Sequence, residues 1–138
     1  MSDAEILKPA FALAGLTFLV WLRLYWVRIA QMRRDRIDAQ RVASSAQSAA
    51  LLTDTRAADN FRKMFELPVL FYAAVCIAAI MHVVTPVSLG LAWAFVALRM
   101  LHSLVHCSYN RVMHRFGIYI TGALVLFALW AYLAVQLW

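Results

Sequence analysis

The chain has 138 residues, of which 64% are hydrophobic and only 14% charged. This composition argues against a water-soluble protein, because so little polar material cannot cover a folded surface, and it predicts three or four membrane spans. The net charge is +6. In a soluble protein this excess of basic residues would suggest binding to nucleic acid, but in a membrane protein basic residues mark the cytosolic side. No nucleic-acid partner is therefore expected. A disulfide scaffold is excluded because only Cys76 and Cys107 are present, both within apolar runs.

The first apolar segment predicts a transmembrane helix over residues 8–32. Acidic as well as basic residues precede it and no cleavage site follows, so we expect a retained span rather than a signal peptide. Residues 33–59 then hold nearly all the polar material, with a basic cluster at Arg33 to Arg41 followed by Ala, Ser and Gln. This pattern predicts a helical or partly helical cytosolic connector.

Three further apolar segments complete the predicted fold, over residues 60–84, 88–110 and 117–138. Asp59 or Asn60 is the expected N-cap of the second span, and Pro68 is expected to kink that helix without ending it. Thr85 to Ser88 form the predicted turn before the third span. The sequence therefore predicts an all-α integral membrane protein, a four-transmembrane-helix bundle forming one domain over residues 1–138.

The distribution of basic residues predicts the orientation of this bundle. Lys8 alone lies on one side, whereas nine lysines and arginines flank the two loops on the other, namely Arg33, Arg34, Arg36, Arg41, Arg56, Arg62, Lys63, Arg111 and Arg115. Because cytoplasmic loops carry the excess of Lys and Arg, we expect both loops in the cytosol and both termini on the outer side.

Several ionisable residues lie within the predicted spans, where an unpaired arginine at the bilayer centre costs about 2.5–3.5 kcal/mol. They are Arg23, Arg28, Glu66, Arg99, His102 and His106. On the third helix Arg99, His102 and His106 share one face. That face either lines an anion-binding cavity open to the cytosol, or belongs to a structural network in which Glu66 pairs with Arg23 or Arg99 and the histidines bond backbone carbonyls. Arg28 lies near enough to the interface to extend into water.

His102 and His106 also have the i, i+4 spacing that places two imidazoles on one metal ion or near a haem. No third ligand with suitable spacing is present except Glu66 on another helix. A metal or haem subunit is therefore a weaker alternative, and no metal site is predicted.

Several segments of the chain resemble the MAPEG family, the membrane-associated proteins in eicosanoid and glutathione metabolism. They are the second-helix segment NFRKMFELP from Asn60 to Pro68, the third-helix pattern RxxHxxxH from Arg99 to His106, and Arg115 and Tyr119 beyond it. The resemblance covers essentially the whole chain. It is closest to the bacterial branch, whose FELPVLFY and LHS segments match Phe65 to Tyr72 and Leu101 to Ser103.

The resemblance implies a homotrimer of four-helix subunits that binds glutathione between adjacent subunits on the cytosolic side. It implies an inner-membrane, multi-pass transferase or peroxidase that acts on hydrophobic electrophiles or lipid hydroperoxides from the surrounding lipid. The matching residues imply a catalytic Arg115, which favours the thiolate, and a set of glutathione-binding residues, namely Arg62, Glu66, Arg99, His102, His106 and Tyr119.

Two departures from the family pattern support a different class of function. Lys63 stands where the family has an asparagine, and His106 stands where several members have a tyrosine. Because the family includes a member that binds lipid without catalysis, the alternative is a non-catalytic MAPEG-like protein. Such a protein is either a lipid-binding trimer or an accessory subunit of a larger membrane complex.

Overall fold

The computed structural model describes residues 2–44, 46–47, 56–107 and 112–138. Five α-helices account for most of these residues, and they are α1 (Lys8–Arg34), α2 (Arg56–Lys63), α3 (Leu67–Ile80), α4 (Pro86–Cys107) and α5 (Val112–Leu137). Four segments, 3–34, 59–80, 86–105 and 113–137, are long and apolar enough to cross a membrane. The predicted all-α, four-span fold is therefore confirmed.

Helix α1 extends two residues beyond the predicted end of the first span. A 3-10 helix, Asp3–Leu7, leads into it, and Pro9 lies in its first turn, where a missing N–H costs nothing. After Arg34 the chain turns through Arg36, which has a φ of 53°. A second 3-10 helix, Ala39–Val42, follows. The rest of the predicted connector up to Arg56 lies largely outside the described residues.

The second span differs from the prediction of one helix over 60–84 with a kink. The structure has two helices, because α2 ends at Lys63 and α3 starts at Leu67. Proline has no N–H, and its ring clashes with the carbonyl of the residue four positions earlier, so Pro68 weakens a continuous helix at Met64. In the structure the helix is interrupted there. Pro68 therefore lies in the first turn of α3.

The ends of several predicted spans are also corrected. Helix α2 begins at Arg56, so Asp59 and Asn60 lie inside it and the prediction of either as an N-cap is wrong. Helix α3 ends at Ile80, four residues before the predicted end of the second span. Helix α4 begins at Pro86, two residues early, and α5 begins at Val112, five residues early.

A capping box starts α4. The backbone N–H of Ser88 donates to Oγ1 of Thr85 at 3.2 Å, and the backbone N–H of Thr85 donates to Oγ of Ser88 at 2.9 Å. Pro86 occupies the first helical position, for which its fixed φ is suited. The Thr85 hydroxyl also lies 2.7 Å from the hydroxyl of Tyr132 on α5. This turn therefore ties the start of α4 to the far end of α5.

The core lies between α3, α4 and α5. Phe71 on α3 stacks on Phe95 on α4, with ring centroids 4.9 Å apart, and Leu126 and Leu129 on α5 are fully buried. In the most apolar part of the spans that contain α1 and α5, only 17% and 22% of the residues are buried. The corresponding shares are 33% for the second span and 39% for the third. The outer helices therefore turn most of their apolar side chains outward, as expected of helices that face lipid or another subunit.

Candidate functional site

The candidate site lies where the second span is broken, at the end predicted to be cytosolic. Helix α2 supplies Arg62 and Lys63, and Glu66 follows in the break itself. Helix α4 supplies Arg99 and His102, and the first turns of α5 supply Arg115 and Tyr119. The break thus brings polar side chains from three helices to one end of the bundle.

Arg99 is buried against the end of α2, with only 2% of its surface exposed. Its Nη2 donates to the carbonyl oxygen of Lys63 at 3.0 Å, and lies 3.7 Å from Sδ of Met64. Carbonyls at a helix C-terminus have no partner within the helix, so a buried break needs donors from elsewhere. Arg99 supplies one such donor, and it lines neither polar cavity described below.

Glu66 pairs with Lys63, one turn earlier in the chain. Lys63 Nζ lies 3.1 Å from Oε2 of Glu66, and both side chains are a little over one third exposed. The structural network predicted from the sequence instead paired Glu66 with Arg23 or Arg99. The i, i+3 spacing of Lys63 and Glu66 in the sequence could have indicated this pairing.

The ring of Tyr119 on α5 joins α2 to α4. Lys63 Nζ lies 5.4 Å from the centroid of this ring, within range of a cation–π interaction. The ring of His102, which is 2% exposed, has its centroid 6.0 Å from the same ring. His102 and Tyr119 are therefore neighbours, as a common site requires. The side chain of His106 lies outside the described residues.

Two adjoining polar cavities open at this end of the bundle. The first, of about 190 Å³, is lined by Asp59, Arg62, Lys63, Glu66 and Arg115. The second, of about 260 Å³, is lined by Lys63, His102, Arg115, Phe116 and Tyr119. Each is smaller than the roughly 300 Å³ at the lower limit of small-molecule pockets, but both contain Lys63 and Arg115. One ligand in contact with those two cations would reach both cavities.

The cavities contain most of the predicted site residues and three that were missed. Arg62, Glu66, His102, Arg115 and Tyr119 line one or both of them. Asp59, Lys63 and Phe116 were not predicted to belong to the site. In the first cavity three cations, Arg62, Lys63 and Arg115, face two carboxylates. The excess positive charge suits a ligand that carries carboxylates.

A buried polar contact lies next to this site. Ser103 Oγ on α4 donates to Oδ1 of Asn60 on α2 at 3.2 Å, and Asn60 is fully buried. The same two residues border a largely apolar cavity of about 450 Å³, which also contacts Arg23 of α1. Asn60 was predicted as a cap, so this role was missed. No local pattern in the sequence pointed to this role, because it depends on how α2 packs against α4.

The weaker metal or haem prediction rested on His102 and His106. Across the part of the chain that the structure describes, no three His, Cys, Asp or Glu side chains come close enough together to hold a metal ion. Of the two histidines, only His102 has a described side chain, and its neighbour is the Tyr119 ring.

Four apolar spans and a basic polar site at one end define a multi-pass integral membrane protein. A family model described as "MAPEG family" matches residues 6–135, and the chain belongs to the MAPEG family. That family has glutathione-related transferase and peroxidase members. Comparison with curated proteins and with solved structures gives no significant match.

Proposed function

We propose that this protein is a membrane-bound, glutathione-dependent transferase or peroxidase. Its second substrates are hydrophobic electrophiles or lipid hydroperoxides, which reach the site from the bilayer. The observation that carries the proposal is the position of Arg115, which borders both polar cavities. A guanidinium there can interact with a thiol in one cavity and with the peptide of the same ligand in the other.

The charges of the cavities are complementary to those of glutathione, which carries two carboxylates and one ammonium. Arg62 and Arg115 supply guanidinium groups, which bind carboxylates through paired hydrogen bonds. Glu66 and Asp59 supply carboxylates for the ammonium group. Tyr119 and His102 border the second cavity, where the cysteinyl part of the ligand is proposed to lie.

The chemistry follows from the positive charge near the sulfur. A cation beside a thiol stabilises the thiolate, which is the nucleophilic form. In a transfer reaction the thiolate sulfur forms a bond to an electrophilic carbon, and the electron pair displaced from that carbon leaves with the leaving group or adds to the neighbouring atom. In a peroxidase reaction the thiolate attacks a peroxide oxygen and the O–O bond breaks, which gives the sulfenic acid of glutathione and an alkoxide that takes a proton and leaves as the alcohol. The thiol of a second glutathione then attacks the sulfenic sulfur, which forms the disulfide and releases water.

Arg99 has a positioning role in this proposal. Its bond to the Lys63 carbonyl holds the end of α2, and so fixes where Lys63 and Glu66 lie relative to Arg115. The sequence resemblance assigned Arg99 to glutathione binding. Its burial and its backbone partner favour an indirect contribution through the shape of the site.

The assembly and location are part of the same proposal. The protein is proposed to form a homotrimer in which an adjacent subunit completes the two small cavities. It is proposed to lie in the bacterial inner membrane among lipids that it contacts directly, with both termini on the outer side and the site facing the cytosol. The excess of basic residues at the site end supports this orientation.

The test is equilibrium binding of glutathione to the detergent-purified protein, followed by difference absorbance of the thiolate near neutral pH. Saturable binding with a thiolate signal supports the proposal, and conjugation or peroxidase assays with hydrophobic substrates then identify the reaction. Absence of binding at millimolar glutathione would overturn it.

A second candidate is a non-catalytic MAPEG protein, either a lipid-binding trimer or an accessory subunit of a larger membrane complex. The observation that favours it is the Lys63–Glu66 ion pair, which already engages the carboxylate assigned to the ligand's ammonium. Under this alternative the purified protein binds no glutathione and carries tightly bound lipid or a co-purifying membrane protein.

A further inference from the structure

We propose that Lys63 makes this site selective for a carboxylate-bearing thiol whose α-amine is acylated or absent, in preference to glutathione with its free amine. This inference rests on the proposed function and narrows its substrate class. Its starting point is that Lys63 supplies an ammonium group from the protein itself, at the site where the ligand's ammonium would otherwise be bound.

The position of the Lys63 ammonium is defined by contacts on two sides. It lies 3.1 Å from Oε2 of Glu66 and 5.4 Å from the centroid of the Tyr119 ring. The backbone of the same residue is held by Arg99, through the bond from Nη2 to the Lys63 carbonyl oxygen. Lys63 also borders both polar cavities, so its charge acts on whatever occupies either one.

A ligand ammonium entering this site has to compete with Lys63 for Glu66. It also comes close to the two guanidinium groups of the first cavity, those of Arg62 and Arg115, which repel it. An uncharged amide at position 63 would leave Glu66 unneutralised and would remove one of the three cations. The residue at this position therefore decides whether an ammonium or a neutral group is accepted beside Glu66.

Asp59 is the other carboxylate that could receive a ligand ammonium, since it borders the same cavity. It lies three residues before Arg62 and four before Lys63 on α2, the two spacings at which an acidic and a basic side chain are neighbours on a helix. A ligand ammonium at Asp59 would therefore lie beside two basic residues of the same helix, Arg62 and Lys63.

The three cations of the first cavity outnumber its two carboxylates by one, so a net positive charge remains for a ligand. Guanidinium groups bind carboxylates in a paired geometry, and Arg62 and Arg115 both face the first cavity. A thiol with two carboxylates and no ammonium uses these groups without displacing Lys63. This chemistry describes the class of ligand that fits the site best.

The experiment compares glutathione with N-acetylglutathione, which differs only in having an acylated amine. Equilibrium binding and thiolate difference absorbance are measured on the full-length protein in detergent. We expect the wild type to bind N-acetylglutathione about fivefold more tightly, the effect of one partly exposed ion pair. Lys63→Asn should reverse the preference, whereas Lys63→Arg, which keeps the charge, should retain it.

The outcomes separate this inference from the proposed function. Tighter binding of glutathione than of N-acetylglutathione by the wild type, a comparison that needs no variant, would overturn the selectivity and leave the proposed function standing. A loss of glutathione affinity in Asp59→Asn that is absent for N-acetylglutathione would also overturn it, because Asp59 would then hold the ammonium. Binding of neither thiol would overturn both proposals.

Discussion

Nη2 of Arg99 on α4 donates to the carbonyl oxygen of Lys63, the last residue of α2, across 3.0 Å. The two residues are 36 positions apart in the chain, so this bond forms only when the third span packs against the broken second one. This one hydrogen bond gives the buried guanidinium of Arg99 an acceptor within the span, and it gives the Lys63 carbonyl at the end of α2 a donor. The break before Pro68 therefore supplies an acceptor for buried Arg99, and Arg99 supplies a donor for the break.

Replacing Arg99 with Met should destabilise the protein and disturb the site. The variant keeps a side chain of similar length but removes the Nη2 donor, so the Lys63 carbonyl keeps only the longer bond from the Glu66 N–H, at 3.4 Å. Loss of a hydrogen bond from a charged, buried donor costs about 1–3 kcal/mol in free energy of unfolding. Denaturation in detergent, followed by circular dichroism, measures this loss. Arg33→Met, at an exposed position on α1, is the control and should change stability little. Equal stability of both variants would contradict the role given to Arg99.

Reversing the charge of Arg115 should abolish thiolate formation without dissociating the assembly. Arg115 borders both polar cavities, and a carboxylate there would repel the thiolate and the ligand's carboxylates. Thiolate absorbance at saturating glutathione should fall about tenfold or more in Arg115→Glu, which corresponds to about 1.4 kcal/mol. Arg115→Lys keeps the charge and should retain part of the signal. Size-exclusion chromatography with light scattering checks that the assembly is unchanged, and an undiminished thiolate signal in Arg115→Glu would exclude this role.

The buried contact between Asn60 and Ser103 should show energetic coupling. Their side chains are hydrogen-bonded at 3.2 Å within the contact between α2 and α4. A double-mutant cycle with Asn60→Leu and Ser103→Ala should give an interaction energy of about 0.5–1.5 kcal/mol, since either single change leaves the other group buried without this partner. Additive effects of the two substitutions on unfolding would show that the hydrogen bond contributes nothing.

The capping box at the start of α4 should stabilise the opposite end of the bundle. Ser88→Ala removes the acceptor for the Thr85 N–H, and loss of such a cap costs about 0.5–2 kcal/mol. Tyr132→Phe removes only the contact with the Thr85 hydroxyl and should cost less. Thermal unfolding of both variants tests this order. Glutathione binding should be unaffected in each, because neither residue borders the polar cavities.

Cysteine labelling should reveal the orientation of the chain. In a background of Cys76→Ala and Cys107→Ala, single cysteines at Gln40 and Met113 should be protected from an impermeant maleimide in intact cells. A cysteine at Met81, in the turn before α4, should react. All three positions are exposed in the structure. The reverse pattern would place the termini in the cytosol and would contradict the orientation predicted from the basic residues.

Hydropathy was sufficient to predict the four spans, because a bilayer requires long apolar helices and the sequence has four such runs. It did not predict where the second span breaks. A proline within a membrane helix is compatible with a kink or with an interruption, depending on which donors neighbouring helices offer. That donor, Arg99, lies on another helix, so its role could not be derived from the segment around Pro68.

The candidate site residues were predicted from the resemblance and from the cost of charge in a membrane, whereas their contacts with one another could be seen only in the fold. One of the two sequence interpretations paired Glu66 with Arg23 or Arg99, whereas Lys63, one turn away, is its partner in the structure. Asn60 was assigned to a helix end, since the start of α2 at Arg56 has no apolar signal. Burial of Asn60 against Ser103 depends on how α2 meets α4, which no local pattern specifies.

The shortness of α3 determines where chemistry at this site would take place. Its 14 residues span about 21 Å, against a hydrocarbon thickness of about 30 Å. If Ile80 marks the far boundary of the hydrocarbon layer, the break at residues 64–66 lies roughly 9 Å inside the near one. With that placement, a ligand dissolved in water would pass below the headgroups to reach Glu66, to a depth at which acyl chains are present. Under the proposed function, the interrupted helix places the site at a depth that one substrate reaches from water and the other reaches laterally through the lipid.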